Sequence, residues 1–270
     1  MMIIGERINS SRKSVLEAFQ GQNAEFLIDL AVRQEQAGAR YIDLNAAALL
    51  GDETDALRWI LPILQDKVSL PFSIDTPNPA AMEEGLRLCR QRSFLNSLTL
   101  ETRRLDHLLP LVRKYKPRVI VLCLDDEGVA QSSARAAEIA KRAKEMLLLE
   151  GLEPEDMFID PLVRPLGVEP SSLKVFLDSI PRIKHEVAGV RMIAGISNVS
   201  YGLPLRPALN RTLLVLALER GLDAAICDPL DEELQGLVHA TLALAGRDPD
   251  LKGFLRYARA RAAAKKNPLP

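Results

Sequence analysis

Eight short apolar runs, each followed by an amphipathic run at helical spacing, alternate along almost the whole chain. The strand-like runs are 2–5, 40–44, 70–74, 93–95, 118–124, 157–159, 190–196 and 223–227. The helix-like runs are 24–37, 52–66, 79–89, 101–115, 132–150, 171–187, 209–220 and 231–245. A strand buried on both faces reads as a short continuous apolar run, and βα repetition builds a parallel sheet. Eight such units in about 250 residues suit a closed (β/α)8 barrel better than a doubly wound sheet. The expected fold is therefore α/β, a single TIM barrel. Residues 1–270 are read as one domain with a core of about 2–245, and the basic, Ala-rich stretch 246–270 as a last short helix and a frayed end.

Composition removes several classes of function. Apolar residues make up 47% and aromatics 4%, so the core is built from Leu, Val, Ile and Ala, and a formal net charge of −1 argues against nucleic acid as a partner. No run approaches the roughly 20 apolar residues that span a bilayer. The start, Met1-Met2-Ile3-Ile4, passes into a strand without a leader layout, so a cytoplasmic protein is expected. Cys89, Cys123 and Cys227 are far apart in apolar contexts and read as buried, inert thiols. His107, His185 and His239 fall on expected helices without ligand spacing, and no protein-bound metal is expected. Glycine-rich phosphate loops of both common types are absent.

What remains is a pattern at the strand ends. The first run is followed by Glu6-Arg7-Ile8-Asn9, the second ends Asp43-Leu44-Asn45, and the third Asp75-Thr76. Asn96-Ser97, Asp125-Asp126, Asp160-Pro161, Ser197-Asn198 and Asp228-Pro229 close the other five. In a barrel all eight face the C-terminal mouth, where barrel enzymes work. Asp and Asn are also ordinary turn and capping residues, and Asp125, Asp126 and Asp228 read as caps. Asp75, Asn96, Asp160 and Asn198 converge on the mouth without a nucleophile–base pair or a strand-end lysine. Carboxylates that accept and amides that both donate and accept suit the edge of a flat, nitrogen-rich heterocycle.

These motifs carry a resemblance. Gly5-Glu6-Arg7-Ile8-Asn9, Asp43-Leu44-Asn45, Ile74-Asp75, Asn96-Ser97, Ile159-Asp160-Pro161 and Gly195-Ile196-Ser197-Asn198-Val199-Ser200 occur in order. They are joined by Arg206, Asn210-Arg211-Thr212 and Gly221-Leu222-Asp223-Ala224-Ala225. Together they resemble the pterin-binding methyltransferase family, above all its methyltetrahydrofolate:corrinoid/iron–sulfur protein methyltransferases. The folate module of cobalamin-dependent methionine synthase is similar. The resemblance implies transfer of the N5 methyl group of methyltetrahydrofolate to Co(I) of a corrinoid, or the reverse, with protonation at N5. Cobalamin would be carried by a partner corrinoid protein, for which a corrinoid/iron–sulfur protein is one candidate, and the enzyme would be a homodimer.

By position, the resemblance makes Asn198 and Asp75 catalytic. Asp75, Asn96, Asp160, Asn198, Ser197 and Arg206 would bind the pterin, with Glu6, Asn9, Asn45 and Ser200 as further candidates. The stretch Tyr201-Gly202-Leu203-Pro204 departs from the family, which is more polar there. Two alternatives stay open: a dihydropteroate synthase-like enzyme, which would need basic residues at the end of the seventh strand, and a non-catalytic pterin-binding subunit.

Overall fold

The computed structural model describes residues 1–266. In chain order its elements are β1 (Met2–Asn9), α1 (Lys13–Gln20), α2 (Ala24–Gln36), β2 (Tyr41–Asn45), α3 (Glu53–Gln65), β3 (Phe72–Asp75), α4 (Pro79–Leu88), β4 (Phe94–Leu100) and α5 (Thr102–Tyr115). There follow β5 (Arg118–Asp125), β6 (Gly128–Val129), α6 (Ser133–Leu149), β7 (Met157–Asp160), α7 (Ser172–Glu186), β8 (Arg191–Gly195), α8 (Arg206–Glu219), β9 (Ala224–Cys227), α9 (Glu232–Leu244) and α10 (Lys252–Lys266). Strands β1–β5 and β7–β9 pair in parallel, each with its neighbour in the chain, and β9 returns to β1, closing an eight-stranded barrel. The expected (β/α)8 architecture is the one observed. The two-residue β6 folds back antiparallel on the end of β5, outside the closed ring.

Closure sorts the side chains by strand parity. Alternate residues Ile3, Ile42, Ile74, Leu95, Val119, Val121, Ile159, Met192, Ala194 and Ala225 face outward into the layer between sheet and helices. The interleaved residues Ile4, Tyr41, Phe94, Ile120, Phe158, Ile193 and Ala224 form a separate cluster inside the barrel. Phe94 is at its centre, edge-on to Tyr41 at 4.6 Å and to Phe158 at 4.8 Å between ring centroids. Few aromatics are present, and three of them fill the axis.

Several boundaries differ from those read in the sequence, and each difference has a local cause. Residues 13–20, left without an element, form α1; it buries Val15, Ala18 and Phe19 beside the barrel. Strand β1 runs on to Asn9 because its register against β2 shifts between Gly5 and Ile8, where one extra residue is accommodated. Strand β4 continues to Leu100 instead of stopping at residue 95, with two similar shifts against β5 after Asn96. Helix α8 starts at Arg206, three residues early, with Pro207 in its first turn. The C-terminal helix α10 is fifteen residues long and lies against α9, with Tyr257 stacked on His239. Of the stretch 246–270, read as a last short helix and a frayed end, residues 267–270 lie outside the described residues. Among the described residues no helix is long and apolar enough to cross a membrane.

Two glycines set helices at the distance that fixes the mouth. A Cβ on Gly85 of α4 would come within 2.7 Å of Ile74 Cγ2, so only glycine lets α4 settle against the residue preceding Asp75. A Cβ on Gly5 would come within 2.3 Å of Gln34 Oε1, which accepts a hydrogen bond from the Arg7 backbone at 2.9 Å. Caps complete the helix starts: Asn23, Asn78, Ser132 and Asp231 each accept from a first-turn backbone N–H. Cys123 and Cys227 are buried and Cys89 is half-buried; burial pushes the Cys89 thiol up to about 12.

The axial aromatics make a direct test. Replacing Phe94 with Ala removes the ring shared by Tyr41 and Phe158, and large-to-small changes of this kind cost about 3–5 kcal/mol. Urea unfolding of Phe94→Ala should show a lower midpoint with an unchanged slope.

Candidate active site

Above the apolar cluster, the next inward positions are polar on most strands. Asp43 and Asn45 come from β2, Asp75 from β3, Asn96 from β4 and Asp160 from β7, with Glu6 on β1 and the turn after β8 completing the ring. The register shift in β1 matters here. Glu6 lies within the shifted stretch, and Asn9 pairs with Asn45 beyond it, so two residues three apart serve the same rim while Ile8 turns outward into the helix layer.

The deepest groups form one hydrogen-bonded set. Asn45 Nδ2 donates to Asp75 Oδ2 at 2.8 Å, and Asn96 Nδ2 donates to Asp43 Oδ1 at 3.1 Å. Asp43 is only 2% exposed. Burial pushes its carboxyl well above the usual range, reinforced by the neighbouring Asp75. Asp75 is raised as well, chiefly by burial, and is held back by hydrogen bonds from Asn45 and Asp43. Two adjacent carboxyls, Asp43 buried and Asp75 half-buried, cannot both ionise cheaply, so a proton is retained between them, with Asp43 the more strongly raised of the two.

On the opposite wall, burial raises Asp160 to about 7 although it accepts from the Leu162 backbone at 2.8 Å and from that of Gly195. Glu6 is raised too, by burial, against the Ser197 hydroxyl donating to it at 2.6 Å and the nearby Arg12. Burial thus raises each of these carboxyls, and Asp160 to about 7, where a side chain can exchange protons at neutral pH.

Asn198 differs from the others. It sits on a one-turn 3-10 helix, Ile196–Ser200, that follows β8. Its side chain is exposed, and its amide has no hydrogen-bond partner among the described residues. The turn beneath it is firmly held. Arg206 donates to Ser200 Oγ at 3.0 Å and to the Ser197 carbonyl at 3.1 Å, and Ser200 Oγ donates to the same carbonyl at 3.2 Å. Ser200 is fully buried. Ser197, Ser200 and Arg206 thus present Asn198, and the Arg206 guanidinium is engaged in the turn. Asn9 accepts from the Ser11 backbone at 2.9 Å and shapes the end of β1.

Other strand-end residues secure the rim. Asp125 binds Arg135 and Arg142 at 2.7 and 2.9 Å, Asp126 receives the Thr102 backbone at 3.1 Å at the head of α5, and Asp228 pairs with Arg7 at 2.9 Å. The sequence reading did not include Asp43, Ser10, Arg12 or Glu53 in the site. Asp43 could have been found, since it lies two residues before Asn45 on one strand and hence on the same face. Ser10 Oγ, donating to Asn45 Oδ1 at 3.2 Å, had no such signal. Arg12, whose Nη2 lies 3.3 Å from Glu6 Oε1, arrives on the unforeseen turn before α1. Buried Glu53, raised chiefly by burial and also by Asp75, comes from the start of α3.

The raised carboxyls fix a pH dependence. An acid whose pKa is higher folded than unfolded favours the fold most below its unfolded value, about 3.9, and that contribution is lost as pH rises through the folded value. For Asp160 the window runs from there to about 7. Stability should therefore fall as pH rises from 5 to 8, by up to about 1.4 kcal/mol per unit from this group. Asp160→Asn, measured by urea unfolding at both pH values, should flatten the slope and be the more stable form at pH 8.

Comparison with known proteins agrees with this architecture. Residues 5–228 match the family described as pterin binding enzyme. The chain is 32% identical over 250 residues to methylcorrinoid:tetrahydrofolate methyltransferase of Eubacterium limosum, covering 92% of each. It is 28% identical over 239 residues to methionine synthase of Mycobacterium tuberculosis, covering 84% of this chain and 20% of that one. Dihydropteroate synthase from Xanthomonas albilineans in complex with 7,8-dihydropteroate shares the fold, with a TM-score of 0.68 at 17% identity over 99% of this chain and 94% of that one. The chain belongs to the pterin-binding enzyme family.

Proposed function

We propose that the protein transfers the N5 methyl group between methyltetrahydrofolate and the cobalt of a corrinoid carried by a partner protein. The observation that carries this reading is the exposed, unpartnered Asn198 amide on a braced turn, facing across the barrel mouth a proton-holding carboxyl pair on β2 and β3. The pterin edge, rich in N–H and NH₂ groups, meets Asp75, Asn96 and Asp160. Asp160, half ionised near neutrality, can accept from the ring as a carboxylate or donate to it as an acid.

Cleaving the N5–methyl bond leaves a poor leaving group unless N5 gains a proton. The Co(I) corrinoid is the nucleophile, so the enzyme needs none of its own. Asn198 donates to N5 more strongly as charge develops there, which is binding specific to the transition state. The proton comes through the Asp43–Asp75 pair, whose shared proton is held one hydrogen bond from Asn45. The same groups serve the reverse direction, in which N5 is deprotonated as it accepts the methyl group.

The partner corrinoid protein, of the corrinoid/iron–sulfur type or another, must reach an amide that lies at the rim. The exposed Tyr201 and Leu205 beside it would form part of the surface it meets. A cytoplasmic homodimer fits this role. A dihydropteroate synthase would need free cations to hold a diphosphate leaving group. Here Arg206 is committed to its turn, Arg7 to Asp228 and Arg12 to Glu6.

An anaerobic assay with (6S)-methyltetrahydrofolate and free cob(I)alamin, followed by the methylcobalamin spectrum, tests the reading. Asn198→Ala should lose about 10²–10³-fold in turnover, while folate affinity, measured by calorimetry, falls less than about tenfold. Equal losses in both would make Asn198 a binding group only. Absence of transfer with cob(I)alamin and with corrinoid proteins, despite folate binding, would overturn the function.

A further inference from the structure

The end of the barrel opposite the mouth carries a feature that methyl transfer does not use. Below the axial aromatics, the lowest inward positions of β5 and β8 are Arg118 and Arg191, which share the register rows of Phe94 and Phe158. Arg40, just before β2, and Arg247, beyond α9, reach the same place. A cavity of about 490 Å³ opens there, lined by these four arginines with Tyr41 and Asp223 among its walls.

The charge at this floor is only partly compensated. Asp156 is shared by Arg92 at 2.8 Å and Arg118 at 3.3 Å. Asp223 is shared by Lys184 at 2.9 Å and Arg247 at 3.7 Å, and it also accepts from the Met192 backbone at 2.8 Å. Arg40 and Arg191 have no ion pair or side-chain hydrogen bond among the described residues. Six basic side chains thus face two carboxylates, each already divided between two cations. Tyr41 and Phe158 hold guanidinium groups over their rings, Arg118 at 5.7 Å and Arg191 at 5.6 Å. Such stacking orients the planar donors without neutralising them.

Unpaired Arg40 and Arg191, beside the partly committed Arg118 and Arg247, offer around one cavity the N–H groups that a phosphate accepts in pairs on several oxygens. The volume exceeds what a free phosphate needs. We propose that the N-terminal floor of the barrel is a binding site for a phosphate-bearing small molecule, with Arg40 and Arg191 as its principal contacts. Ile4, Tyr41, Phe94, Phe158 and Ile193 lie between this floor and the mouth, so the site is physically separate from the pterin site. Its occupancy can be read without reference to methyl transfer.

The test is calorimetric titration of the full chain with inorganic phosphate, diphosphate and AMP, chloride holding ionic strength constant so that general screening is matched. At least one should bind saturably at one per chain. Arg40→Gln and Arg191→Gln should each weaken that binding, the pair together at least about tenfold, while Asn198→Ala leaves it unchanged. Arg40 is exposed and unpaired, so Arg40→Gln should keep the parent urea midpoint and the parent rate of methyl transfer. Binding of phosphate itself would identify a free oxyanion site, and binding of AMP or diphosphate alone would identify a site for larger phosphates. No saturable binding of any of the three, or binding indifferent to Arg40 and Arg191, would overturn the proposal.

Discussion

Closing eight parallel strands into a ring imposes the constraint on which everything else here depends: every second residue must enter a narrow interior. The chain answers with three tiers of different chemistry. Carboxyls and amides lie at the C-terminal end, Ile, Tyr and Phe in the middle, and arginines at the N-terminal end. The middle tier excludes water from the inner side of the upper one. Dehydration, more than any single charge, then sets the upper tier's protonation, since burial is the leading cause of the rise at Glu6, Asp43, Asp75 and Asp160.

That arrangement divides labour among residues of the same type. Buried Asp43 and half-buried Asp75 are adjacent, and so behave as one acid. Asp125 and Asp228 end their strands in equivalent places yet face arginines and secure the rim. Asparagines divide likewise: Asn45 and Asn96 are committed to carboxyls, whereas Asn198 is held out to solvent by a turn that does not depend on its side chain. Position along the strand and the identity of the nearest cation decide the role; residue type does not.

The strand–helix alternation made the barrel legible, because an apolar period of two and one of 3.6 are set by local sequence. Asp75, Asp160 and Asn198 were legible as strand-end residues for the same reason. What escaped depended on departures from the period. Asn96 lies inside β4, not after it, because the strand carries register shifts that no apolar pattern announces. Asn9 was read as following the first strand and belongs to β1. The commitment of Arg206 to the turn, and the clustering at the floor of arginines as far apart in the chain as Arg40 and Arg247, are tertiary facts without a local signature.

The register shift in β1 bears on how this sequence can change over time. Substitution at Glu6 or Asn9 removes one group and leaves the others where they are. Straightening the strand with every residue kept would instead exchange inward and outward positions beyond the shift. Ile8 would then enter the polar ring and Asn9 the oily layer beneath the helices, two errors from one event. The strand can thus keep its extra residue and the shift, or lose both together, but not lose the shift alone, and lineages descended from this barrel should change the two in step.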